Sequence, residues 1–114
     1  MPATIVQVTK DGATPEVSRP AAEKLIAGDP VFTTWNLEEA GGLYAGIWQS
    51  TPGKWRISYD EWEYFTVTAG KSIITADGGD PMVMTEGDSY IIRPGFAGMW
   101  EVVETTVKDY VIRL

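Results

Sequence analysis

The chain is predicted to be all-β, a sandwich or barrel. Strand-length runs rich in Val, Ile, Thr, Trp, Tyr and Phe recur from residue 31 to the C-terminus, as expected for a sheet protein with short connections. Gly-, Pro- and Asp-containing turns separate them. The strongest is Asp77-Gly78-Gly79-Asp80, because glycine accepts the positive φ that tight β-connections require. Helical signals are confined to Pro20–Ile26, where proline suits a first-turn position and Gly28 follows the end.

In chain order, Thr4–Thr9 reads as a strand, Asp11–Arg19 as a connecting loop and Pro20–Ile26 as one short helix. Strand-length segments follow at Val31–Asn36, Leu43–Gln49, Lys54–Tyr59, Trp62–Ala69 and Lys71–Ala76. After the glycine turn come Met82–Thr85, Ser89–Ile92, Met99–Val103 and Lys108–Leu114, punctuated by Glu86-Gly87-Asp88 and Arg93-Pro94-Gly95. The sequence contains no internal repeat, low-complexity tract or linker, so 1–114 is expected to form one domain.

Composition narrows the function classes. With 114 residues, 44% hydrophobic and 22% charged, the chain can bury a core without disulfides or a structural metal. It contains no Cys and no His. Thiolate and imidazole metal sites, cysteine nucleophiles and His-activated serines are therefore excluded. No Gly-x-Ser-x-Gly elbow or phosphate-binding glycine loop is present. A net charge of −7, with nine scattered basic residues, disfavours nucleic acid as a partner. No run approaches membrane-spanning length, and Met1–Lys10 lacks the basic and apolar pattern of a signal peptide. A cytoplasmic location is the expectation, and zero cysteine agrees with a reducing compartment.

The spacing then becomes specific. Glu63 is followed by Gly70, the Asp77–Asp80 hairpin, Gly87-Asp88 and Pro94-Gly95. Together with Gly46-Ile-Trp48, Pro52-Gly53, Glu61-Trp-Glu63 and Pro94 through Val102, this pattern resembles the cupin superfamily. Within it, the similarity is to small single-domain cupins related to ureidoglycine aminohydrolase and ethanolamine-utilisation protein Q, over residues 20–114. The resemblance implies a double-stranded β-helix, a jelly-roll barrel whose open mouth holds the ligand. It also implies turn roles for Gly70 and Gly87.

Cupins of this kind usually hold a metal with three imidazoles and one carboxylate. The paired His positions fall on Ile57 and Tyr59, or on Arg56 and Ser58, with the first pair favoured. Gly98 stands at the third, and only the carboxylate, Glu63, remains. No transition metal and no cofactor are therefore expected. A hard cation needs several convergent oxygens. If no turn intervenes, strand alternation places Glu61 and Glu63 on one face and Asp60 on the other.

The candidate site comprises Tyr59 and Glu63 as polar anchors, Trp48 and Trp100 as aromatic walls, and Gly98 as a position leaving space where a side chain would sit. Tyr59 and Glu63 are also the candidates for acid–base chemistry. For most of Trp48, Trp55, Trp62 and Trp100, core packing is the first expectation and a place in the pocket wall the second. Glu63 is expected to face an apolar interior near Phe65 and Trp100 without a compensating partner. Glu63→Gln would then leave stability unchanged or slightly higher. The competing expectation pairs Glu63 with Arg56, Arg93 or Lys108 inside the barrel.

These residues point to a metal-free cupin that binds a small polar metabolite. The alternatives are a small-molecule isomerase or hydrolase using Glu63 and Tyr59, and a degenerate structural or dimerisation cupin. A homodimer is expected, since jelly-roll sheets leave edges that a symmetric partner can cover.

Overall fold

The computed structural model describes residues 3–114. Its nine strands are β1 (Glu16–Ser18), β2 (Leu25–Gly28), β3 (Phe32–Ala40), β4 (Leu43–Ser50), β5 (Gly53–Ser58), β6 (Trp62–Ala76), β7 (Met82–Thr85), β8 (Ser89–Ile92) and β9 (Ala97–Arg113). All pairings are antiparallel. The strands curl into a jelly roll.

Two long strands organise the sheet. The first half of β9 pairs with β5 on one side and with the second half of β6 on the other. Its second half pairs with β4 and with the first half of β6. One half-sheet therefore runs β2–β5–β9–β6–β7 and the other β1–β3–β4–β9–β6–β8. They meet where the β6–β9 register shifts between Val67 and Ser72. Gly70 sits in that bend at φ +88°, and a Cβ there would collide with the Thr105 carbonyl. Only glycine combines this conformation with so close an approach.

The sequence divides β6 at Gly70 and β9 after Val103. The structure runs each through as one bent strand, so Gly70 serves a bulge inside β6 and no turn. Gly87 does lie in the turn between β7 and β8, at φ +92°. The Asp77–Asp80 hairpin joins β6 to β7 as expected, with Ile74 opposite Met82.

The N-terminal expectations need correction. Residues 5–9 form no strand, and a 3-10 turn at Lys10–Gly12 follows them. Part of the expected loop forms β1 against β3. The expected helix over Pro20–Ile26 is absent. A single turn, with Leu25 N–H donating to the Ala21 carbonyl at 3.2 Å, gives way to β2, which pairs with β5. So short a segment cannot repay helix nucleation, whereas the sheet edge offers its backbone ready partners.

The half-sheets enclose Trp55, Phe65, Val67, Ile74, Met84, Ile92, Trp100, Val102 and Tyr110. Each large apolar side chain fully removed from water contributes on the order of 1.5–3 kcal/mol. Trp55 and Trp100 stack with ring centroids 6.3 Å apart, at 11° between planes. The Trp100 indole N–H donates to Ser72 Oγ at 3.2 Å, and Ser72 and Thr106 share a 2.6 Å hydroxyl hydrogen bond. The buried polar edge of the core is thereby satisfied.

Candidate ligand-binding cleft

Strand alternation places Glu63, Phe65 and Val67 on the inward face of β6, and Thr106, Lys108 and Tyr110 on the inward face of β9. Lys108 is the cross-strand partner of Trp48 on β4 and of Val67 on β6. Its side chain is 6% exposed and that of Glu63 2%, and Lys108 Nζ lies 2.9 Å from Glu63 Oε2. The ammonium also sits 4.4 Å from the Phe65 ring centroid, 4.6 Å from that of Trp100 and 4.8 Å from that of Trp48. Three aromatic faces and a carboxylate thus enclose one buried cation.

Glu63 Oε1 accepts a 2.6 Å hydrogen bond from the Tyr59 hydroxyl. Tyr59 is positioned by its backbone. Its N–H donates to the Phe96 carbonyl at 2.8 Å, and its carbonyl accepts from Gly95 N–H at 2.7 Å. Burial pushes the Tyr59 phenol well above its ordinary 10.0, and the Glu63 charge and hydrogen bond, with Glu61, push the same way. Tyr110, whose hydroxyl donates to Asn36 Oδ1 at 2.7 Å, is pushed up to about 12 by burial, then by the Glu63 and Glu16 charges.

An open cleft of about 860 Å³ lies above this network. Trp48, Tyr44, Tyr59 and Tyr110 supply its aromatic lining, Thr34, Asn36 and Lys108 its polar groups, and Glu16, Glu39 and Glu61 its carboxylates. The segment Gly12–Thr14 lines one side. A second recess of about 350 Å³ is largely apolar, lined by Phe65, Ile74, Met84, Ile92 and Phe96 among others.

The structure therefore brings Trp48, Tyr59 and Glu63 together, but it revises three expectations. Glu63 is not uncompensated. Lys108 is its partner, while Arg56 turns outward to make a two-pronged pair with Asp77 at 2.8 and 2.7 Å, and Arg93 is exposed. Trp100, only 2% exposed, does not wall the cleft but lies beneath Lys108 in the core. Gly98 opens no space, because a Cβ there would collide with the Thr75 carbonyl oxygen. Its small size serves close strand packing between β9 and β6. Sequence reasoning missed Tyr110 and Asn36. The inward phase of Thr106, Lys108 and Tyr110 along β9 was the available signal.

The residues present do not fit a transition metal. Both Glu63 oxygens are already engaged, and Gly98 excludes a side chain. Among the described residues no cluster of three His, Cys, Asp or Glu could hold an ion.

The model of the EutQ-like cupin domain matches residues 37–110. No curated protein matches. Among solved structures, a protein of unknown function from Pseudomonas syringae pv. tomato superposes with a TM-score of 0.81 at 23% identity, covering 92% of this chain and 46% of that one. This chain thus spans about half the length of that relative. The EutQ protein of Clostridium difficile superposes with a TM-score of 0.68 at 18% identity, covering 95% and 80% of the two chains. Ectoine synthase from P. lautus gives 0.66 at 16% identity, over 72% and 63%. At these identities the superpositions speak for the fold alone. With the family model covering well over half of its residues, the chain belongs to the EutQ-like cupin family.

Proposed function

We propose that this protein is a metal-free cupin that binds a small polar molecule in the cleft above Lys108. The open cleft of about 860 Å³, with an aromatic lining and a few convergent polar groups, carries the proposal, since small-molecule sites have this composition. Trp48 supplies a flat apolar face. The hydroxyl oxygens of Tyr59 and Tyr110 remain able to accept from a ligand, and Asn36 offers amide donors and an acceptor.

Binding is favoured over acid–base catalysis by the state of Glu63. It lies behind Tyr59, 1% exposed, with one oxygen on Tyr59 and the other on Lys108. A general base must reach the proton that it removes, and this carboxylate is held away from the cleft. A role as a purely structural cupin is disfavoured because the cleft is not filled by side chains. The absence of cysteine agrees with a cytoplasmic setting.

A thermal-shift screen of small polar metabolites tests the proposal, because a ligand selective for the folded state raises its stability. A saturable shift in the wild-type chain, diminished in Trp48→Ala relative to that variant's own baseline, is expected. Catalytic turnover of the same hit that is lost in Tyr59→Phe would favour the isomerase or hydrolase alternative.

A further inference from the structure

We propose that the Lys108 ammonium is the resident cation of this site, fixed by the chain itself where the donor set does not fit a metal ion. Its position is built into the sheet, since Lys108 lies mid-strand in β9 between Trp48 and Val67. A long lysine at such a place would ordinarily extend to water. Here it stays inside, 2.9 Å from Glu63 Oε2 and 4.4–4.8 Å from three ring centroids. A buried ammonium is strongly disfavoured unless paired, and the carboxylate and aromatic faces together provide that compensation.

The surrounding donors are arranged for an ammonium. Glu63 accepts from Tyr59 with one oxygen and from Lys108 with the other. A metal ion would have to displace Lys108 and recruit further ligands, yet among the described residues no three His, Cys, Asp or Glu side chains come together to hold one. An ammonium supplies fixed positive charge and N–H donors, one of them used on Glu63. Lys108 lines the cleft, so it can offer hydrogen bonding to a ligand oxygen at the floor. Lys108 holds that floor whatever the ligand, so occupancy of the cage can be read separately from metabolite binding.

Lys108→Ala removes the three methylenes and the ammonium beyond Cβ, which n-propylammonium restores. The melting temperature of this variant is expected to rise saturably with n-propylammonium and not with propanol. The wild-type chain should show no such response, and Glu63→Gln/Lys108→Ala should lose it. Equal responses to the two compounds, or none to the ammonium, would overturn the proposal. If Lys108→Ala is unfolded in buffer, refolding yield is read with the same pair, and failure of n-propylammonium to recover folded protein counts against the proposal. In untagged wild-type protein, added Mn²⁺, Fe²⁺, Zn²⁺, Ni²⁺ or Cu²⁺ should be removed by desalting. Retention of one equivalent would overturn it independently.

Discussion

Glu63→Gln changes few atoms but breaks a buried ion pair. The substitution preserves shape and leaves an amide oxygen to accept from Tyr59, but it removes the charge facing Lys108 at 2.9 Å in a pocket where both side chains are almost fully buried. Breaking one side of a buried ion pair typically costs about 3–5 kcal/mol, because the remaining charge is uncompensated. The three aromatic faces offset part of this, placing the expected loss near ~3 kcal/mol. With about 2.1 cal/mol/K of unfolding entropy per residue and 114 residues, such a loss lowers the melting temperature by roughly 12 °C. Urea denaturation of Glu63→Gln, Lys108→Met and the double variant measures the coupling. The double variant should be clearly more stable than the sum of the single losses implies. Single losses below about 1 kcal/mol that simply add would refute the buried pair.

Tyr59 and Tyr110 hold their protons more tightly in the folded chain than in the unfolded one. Their stabilising contribution is complete below pH 10 and declines as the pH rises from 10 through the folded values. Ultraviolet phenolate titration should show two tyrosines that resist ionisation until alkaline unfolding, and free titration of all five at pH 10 would contradict this. Gly98→Ala should cost about 1–3 kcal/mol in chemical denaturation, as overpacking does, whereas a neutral effect would mean that β6 yields easily. Light scattering of the untagged protein should report a homodimer, and a monomer at high concentration would count against it.

The sheet was legible where local chemistry decides. The Asp77–Asp80 turn, β4, β5 and the short strands β7 and β8 emerge at nearly their observed positions, because alternation and turn residues are local signals, while β3 runs on to Ala40, past the Asn36 at which the sequence ends it. Pro20–Ile26 misled because its helical signals are equally local, while β2 depends on an edge of β5 that lies far along the chain. The sequence breaks β6 and β9 where a bend suffices, since their pairing with each other carries both strands through the Gly70 bulge and past Val103 even though the partner on the outer flank of each changes there.

At the site, Glu63, Tyr59 and Trp48 could be found from spacing, but the state of Glu63 could not. Whether an inward carboxylate is bare or paired depends on which strand lies opposite, and β9 is placed beside both β4 and β6 only by the fold. Gly98 shows the converse problem. A missing side chain in sequence suggests room, yet in the sheet the space belongs to the Thr75 carbonyl of the neighbouring strand.

The most direct measurement of the central claim is amide and indole chemical-shift mapping of the wild-type chain with the strongest ligand from the metabolite screen. Saturable perturbations are expected to centre on the Trp48 indole, Tyr59, Tyr110 and Asn36 around the cleft above Lys108. Perturbations centred instead on the Phe65–Met84 recess, or none from any compound in the panel, would contradict the assignment of this cleft as the binding site.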